Sequence, residues 1–374
     1  MILLNDRLVH PNFNIAMMKH KIPLLIVSLL LLAVAITGCS GSYYASTSWP
    51  GLASNDEYAF VANNTFIYAV KLDSGEEAWR YPDEASAKIT FFADPVLTPQ
   101  GELLAPSYDH TLYSIDPADG SANWVFEGAS NRLIASPLVT EEGIFQASSD
   151  GNLYALDFSG DLKWTFETGG PVWASPSPNA DCTCLFIASM DHHVYAVNAI
   201  TGELIWKSED LGGAIVGTPA FDQDNTVIVG TFGSEIIALN AASGKEMWSF
   251  STQGWVWSGG ILHQDIFFTG DLEGYIYGID TATGEQIWRI QPGGAIIGSP
   301  ILIGDQLVFT SETDTVFFIG LDGEVDESRT VAGQLYASPY AAGDLILIAP
   351  ISADTLLVAL TSSGAQQWTY FPEK

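Results

Sequence analysis

The sequence predicts an all-β fold, an eight-bladed β-propeller whose blades are four-stranded antiparallel sheets. Three observations predict it. A turn glycine recurs at Gly75, Gly120, Gly160, Gly202, Gly244, Gly284, Gly323 and Gly364, in steps of 45, 40, 42, 42, 40, 39 and 41 residues, so eight units follow one another. Four residues after each glycine stands a tryptophan, at Trp79, Trp124, Trp164, Trp206, Trp248, Trp288 and Trp368, except in the seventh unit, where Glu327 holds that place. Each unit also has the content of four short strands. From Pro137 to Phe166 the segments 137–140, 143–147, 152–156 and 161–166 are apolar or alternating, and turn formers separate them: Glu141-Glu142, Ser149-Asp150-Gly151 and Asp157 to Gly160. No helical period of comparable length appears after residue 39.

The repeated turn explains its own residues. Asp116, Asn198, Asn240 and Asp280 can cap it, and the following Ser/Thr-Gly pair supplies the positive φ that closes it. An indole buries about 150 to 250 Å² and needs a small neighbour. Ala69, Ser114, Ala155, Ala196, Ala238, Gly278 and Ala359 stand at the matching place in the units that keep the tryptophan. The seventh unit breaks the pairing on both sides, with Phe318 at the small position and Glu327 at the tryptophan position.

Residues 1–38 read as an upstream segment and a signal peptide. Met17 to Lys21 is a basic start, Ile22 to Ile36 an apolar run of 15 residues, and Gly38-Cys39 follows directly. The run is shorter than the roughly 20 residues of a spanning helix and has the proportions of a secretory signal. The junction resembles the lipobox of bacterial lipoproteins, which implies cleavage before Cys39 and a lipid on it. Residues 39–48 are then the lipidated cysteine and a short tether, and residues 49–374 the propeller. The eight residues from Ser40 to Thr47 span at most about 28 Å. Ser40 after the cysteine resembles the outer-membrane sorting pattern of two-membrane bacteria. In a host without an outer membrane the protein is expected on the outer face of the cell membrane.

Charge narrows the partners. Losing residues 1–38 removes Arg7, Lys19, Lys21 and Asp6 from 13 basic and 44 acidic residues, leaving 10 against 43. Nucleic acid is excluded as a ligand by that balance, and a purely electrostatic hold on anionic lipid is excluded with it. No Asp-x-Asp-x-Asp-Gly calcium loop is present. Cys182 and Cys184 stand on one turn, where a small strained disulfide or a pair of soft-metal ligands is open to them; two ligands on one turn make an incomplete metal site, and two surface thiols or a structurally idle disulfide is the favoured reading. His110 and His192 follow Asp109 and Asp191 at equivalent turns of units two and four, where turn chemistry suffices and no metal site is expected. Neither a Gly-x-Ser-x-Gly elbow, a phosphate loop nor a His-Glu-x-x-His pair occurs, so no catalytic residues are assigned.

One constellation is a candidate ligand platform. Each unit is entered through Ala/Gly-Ser/Thr-Pro or a relative, and three places earlier stand Phe92, Ile134, Trp173, Val216, Ile297 and Tyr336, with Trp257 before Gly260. If first strands are innermost, Phe92, Trp173, Trp257 and Tyr336 gather near the axis, where they either stack a planar or sugar-like ligand or plug the channel.

The pattern Ala-Ser-Pro, Asp-Gly-Asn-Leu-Tyr-Ala-Leu-Asp and Thr-Gly-Glu-x-x-Trp resembles the pyrroloquinoline-quinone-type propeller repeat, over residues 49 to 371. Within that superfamily the quinone-dependent dehydrogenases carry adjacent cysteines over the quinone, and Cys182-Thr183-Cys184 departs from them, so no quinone cofactor is expected. A propeller of this length behind a lipobox resembles the BamB family of outer-membrane assembly lipoproteins. The resemblance implies a monomeric, non-catalytic scaffold with protein partners in the cell envelope. A quinone-dependent oxidoreductase and a surface binder of glycan or peptide are the alternatives.

Overall fold

The computed structural model describes residues 49–179, 182–222, 225–351 and 354–372, within the compact unit Ser46–Lys374. Cys39 and the segments 1–38 and 39–48 lie outside the described residues. Eight four-stranded sheets make up the fold, and in each the strands pair in chain order, as the eight-bladed propeller requires. In the first blade these are β1 (Gly51–Ser54), β2 (Tyr58–Asn63), β3 (Phe66–Lys71) and β4 (Glu77–Tyr81).

Position in the blade dictates strand composition. Second and third strands are covered on both faces by neighbouring blades, so they read as continuous apolar runs, as in Phe60-Val61-Ala62 and Ile67-Tyr68-Ala69-Val70, all buried. Fourth strands form the outer edge and alternate, as in Leu162–Glu167 and Val325–Thr330. First strands of neighbouring blades approach one another around the axis. The core is therefore a series of inter-blade seams. Between blades four and five, for example, Phe186, Ala196 and Trp206 pack on Val227, Ile237 and Leu239.

The tryptophan joins one blade to the next. Its cross-strand partner is the small residue: Ala69↔Trp79, Ser114↔Trp124, Ala155↔Trp164, Ala196↔Trp206, Ala238↔Trp248, Gly278↔Trp288 and Ala359↔Trp368. Directly beyond that pair the register slips by one residue in every blade, a β-bulge that bends the outer strand. The indole then lies on the turn glycine of the following blade. A Cβ on Gly244 would stand 2.4 Å from Trp206 Cε3, and on Gly202 2.7 Å from Trp164. In six of the seven the indole N–H donates to a backbone carbonyl of that same turn, as from Trp206 to Ala241 at 2.8 Å, Trp248 to Thr281 at 2.8 Å and Trp288 to Leu321 at 2.8 Å, whereas Trp124 donates to Glu102 Oε2 at 3.1 Å. The glycine thus answers two demands, a φ of +67° at Gly244 and the absence of any side chain beneath the ring.

The seventh seam is built differently. Phe318 pairs with Glu327 in register, is 1% exposed, and reaches the Gly364 turn together with Arg329. Arg329 Nε donates to Gly364 O at 3.0 Å, the bond an indole makes elsewhere, and its guanidinium pairs with Glu327.

The ring closes from blade eight to blade one without exchanging a strand. Trp368 lies over Gly75 and donates to Leu72 O at 2.8 Å. Tyr370 donates to the Glu77 carboxylate, which also receives Arg80 Nε at 2.6 Å. Burial opposes charge on Glu77, but the hydrogen bonds from Arg80 and Tyr370 outweigh it and hold the carboxyl below its ordinary range.

Candidate functional site

Segments leading into first strands and turns between second and third strands share one face of the ring. Backbone bonds tie them: Tyr108 N to Thr90 O at 2.8 Å, Met190 N to Pro171 O at 2.9 Å, Phe232 N to Ala214 O at 2.9 Å and Leu272 N to Trp255 O at 3.0 Å. These turns explain the histidines. His110 and His192 stand at φ +72° and +73°, where unit three has Gly151, and they occupy separate blades. Cys182 and Cys184 are joined by a disulfide, on a turn of the opposite face. Among the described residues no group of three or more His, Cys, Asp or Glu side chains is arranged to hold a metal ion.

On that first face the segments bring Phe92, Trp173, Trp257 and Tyr336 around one axial cavity of about 190 Å³. Its centre holds a residue that the repeat does not announce. Trp49 stands 5.4 Å from Phe92, 5.5 Å from Trp257 and 5.4 Å from Tyr336, ring centre to ring centre, so this indole packs against three platform residues at once. In the first unit the place three before the proline falls on Thr47, and Trp49 sits where the other blades have Asp94, Ser136, Ser175, Thr218, Gly259, Ser299 or Ser338. The mismatch with the other units was the available signal.

Aromatic contacts continue outward from the axis. Trp257 meets Phe232 at 5.1 Å, and Phe232 stacks on Trp255 at 5.0 Å and 13° between planes. Trp255 is 51% exposed. On the other side Phe92 stacks on Tyr108 at 5.3 Å, with the Arg132 guanidinium 5.0 Å above Tyr108. The result is a line of rings from Trp255 through the axis to Tyr108.

Asp94 is the single charged side chain among the described residues lining the cavity. It is open to channel water, yet protein surrounds it, and that burial lifts its carboxyl from 3.8 to about 6 against the opposing hydrogen bond from Leu52 N, 2.8 Å from Oδ1. A carboxyl raised in the folded state favours the protonated form there. It costs stability above about pH 6 and none below the unfolded value of 3.8. Full burial at that shift would cost about 3 kcal/mol; water in the channel screens it to about 1 kcal/mol. Asp94→Asn is therefore expected to raise the melting temperature by about 1 to 2 °C at pH 8 and to leave it unchanged near pH 3.5, by calorimetry of the two proteins side by side.

Pyrroloquinoline quinone, the cofactor of the superfamily's dehydrogenases, is a planar tricarboxylate. The cavity does not fit it: Trp49 fills the aromatic ring, Asp94 repels carboxylates, and no Lys or Arg stands among the described lining residues.

The family profile described as outer membrane protein assembly factor BamB matches residues 63–208, 190–259, 257–326 and 273–374. The chain belongs to the BamB family. BamB of Moranella endobia is 24% identical over 321 residues, 77% of this chain and 79% of its own. The crystal structure of BamB from Moraxella catarrhalis superposes with a TM-score of 0.66 at 18% identity, covering 80% of this chain and 92% of that one, a likeness of fold. An enzyme is similar as well. Tetrathionate hydrolase of Acidithiobacillus ferrooxidans is 25% identical over 228 residues, which is 59% of this chain, and the chain spans only 42% of that relative's length.

Proposed function

We propose that this BamB-family propeller is a non-catalytic protein-binding scaffold, anchored by lipid on Cys39 and serving the assembly of outer-membrane β-barrel proteins. The observation that carries the reading is the family match, which runs in overlapping segments from residue 63 to residue 374. The basic start, apolar run and Gly38-Cys39 junction support the anchor and a place on the outer membrane, or on the outer face of the cell membrane in a host that has no other. Trp255, half exposed and stacked on Phe232, is the kind of rigid aromatic that anchors a protein partner. The acidity of the chain suits basic partner surfaces and disfavours nucleic acid. One chain closes its own ring, which suits a monomer.

The test combines anchor and partner. Cells fed a clickable fatty acid should label the wild-type protein and leave Cys39→Ala unlabelled. Tagged wild-type protein, solubilised gently, should co-purify with a β-barrel insertase, and Trp255→Ala should recover roughly tenfold less of it. Equal label on both proteins would end the anchor, and wild-type protein that brings down no insertase would end the scaffold reading.

A further inference from the structure

The Cys182–Cys184 disulfide is not needed by the fold that contains it. The two cysteines are joined across a single residue, at the turn between the strands Ser177–Asn179 and Cys184–Ala188. So short a loop has little entropy for a cross-link to remove, and the bond adds little stability. Blade five makes the same turn without it. There Ala241 N donates to Asn225 O at 2.8 Å, as Ala199 N donates to Thr183 O at 2.9 Å, and Thr226 stands in the register place of Cys184. The left-handed residue of that turn is Asn225, at φ +67°, and blades two, seven and eight use Gly101, Gly304 and Gly343 in theirs. Blade four puts Thr183 there, at φ +49°, a β-branched residue in a region that such residues avoid. The bridge therefore holds a constraint in place rather than supporting a weak turn. Its two sulfurs also differ in reach. Cys182 is exposed, whereas Cys184 is 3% exposed and belongs to the buried cluster of Phe186 and Val227.

We propose that this pair is a thiol–disulfide exchange site that takes a cysteine thiol from a basic segment of another protein. The incoming thiolate attacks Cys182 Sγ, the sulfur that solvent reaches. A bond forms between the partner's sulfur and Cys182, the Cys182–Cys184 bond breaks, and its electron pair leaves on Cys184, which takes a proton from water. Two exits follow. Cys184 attacks Cys182 again and returns the partner's thiol, or a second thiol of the partner attacks the partner's own bridged sulfur and expels Cys182. The second exit leaves the partner with a disulfide and this chain with two thiols, so the pair itself is the oxidant. Charge selects the partner. Asp181 precedes Cys182 in the chain, the turn tied to Thr183 ends in Glu203, and the whole chain sets 13 basic residues against 44 acidic ones. That field draws cationic thiols and repels anionic ones. Soft-metal binding is excluded by the bond between the sulfurs and, among the described residues, by the lack of a third ligand. The inference does not depend on the scaffold reading.

The test uses the full-length protein in detergent with Cys39→Ala, which leaves the pair as its only cysteines. Cysteamine, a cationic thiol, and mercaptoethanesulfonate, an anionic one, are added to the folded protein, and acid-quenched samples are mapped by peptide mass spectrometry. Both should open the pair without denaturant, and the first adduct should sit on Cys182. Cysteamine should react about tenfold faster per thiolate in low salt, and salt near 1 M, where the Debye length is about 3 Å, should remove most of that preference. In Cys184→Ser the cationic disulfide cystamine should cap the Cys182 thiol, and the cap should persist. In Cys182→Ser the Cys184 thiol should be capped at least about tenfold more slowly, because the core covers it. The turn of blade five predicts that both variants fold, and the adduct map of the unbroken pair needs neither of them. A pair that opens only in denaturant, or first adducts shared equally by the two sulfurs, would overturn the exchange site. Equal rates for the two thiols in low salt would overturn the choice of a basic partner.

Discussion

Trp206→Ala lowers stability by about 3 to 5 kcal/mol, the usual range for emptying a buried aromatic site. The indole is 9% exposed, packs in the seam between blades four and five, and donates to Ala241 O. Gly244→Ala attacks the same contact from the other side. Its methyl would meet Trp206 Cε3 at 2.4 Å and would also hold an alanine at φ +67°, so the loss combines a clash with roughly 1 to 2 kcal/mol of left-handed strain. The double variant is the decisive measurement. With the indole gone the methyl has nothing to strike, and urea titrations should find the double variant more stable than the sum of the single losses by 1 kcal/mol or more, roughly. Strict additivity would show that the ring and the glycine do not bear on each other.

The seventh seam gives the second large effect. Glu327→Trp brings an indole into space that Phe318 and Arg329 already occupy, and should cost about 1 to 3 kcal/mol by overpacking. It also removes the carboxylate that pairs with Arg329. Adding Phe318→Ala restores the pair of residues that seven other blades use, and the double variant should recover most of the loss. Phe318→Ala alone should cost about 3 to 5 kcal/mol, because Phe318 is 1% exposed and no indole covers the gap. If Glu327→Trp is harmless by itself and gains nothing from Phe318→Ala, the two side chains do not share the space that their register implies.

The fold could be read from the chain because period, turn and strand content agree at every unit. The pairing of small residue and tryptophan could also be read, since both recur at a fixed offset within one unit. What the indole lies on could not. A glycine in its own unit and a glycine in the next recur with the same spacing, so a periodic sequence does not say across which boundary the ring reaches. Arg329 was hidden for a related reason: in other units its place holds residues such as Phe126, Phe250 or Tyr370, none of which advertises a guanidinium taking over an indole's hydrogen bond. At the axis, the aromatics before each proline gave the ring, whereas Trp49 lay outside the repeat. Phe232 and Trp255 come from segments apart in sequence and meet because the second-to-third-strand turn of blade five is tied to the segment that leaves that blade for the next, Val256 N donating to Thr231 O at 3.2 Å.

A ring whose every sheet is a continuous stretch of chain, closed by side-chain packing such as Leu52 and Val61 against Leu347 and Leu357 and by the bonds of Trp368, Tyr370, Arg80 and Glu77, has no obligatory first blade. A circularly permuted gene tests this freedom. Residue 372 would be joined to Trp49 by a linker like the stretch between Phe126 and Leu138, and the chain opened in the corresponding stretch after Trp288, between Ile290 and Ile301. The permuted protein should assemble the same eight seams in a different order of synthesis, with its new ends facing each other where blades six and seven meet. Such an architecture lets a gene gain, lose or shuffle whole blades by recombination between repeats, because no sheet has to be stitched together from the two extremities of the chain.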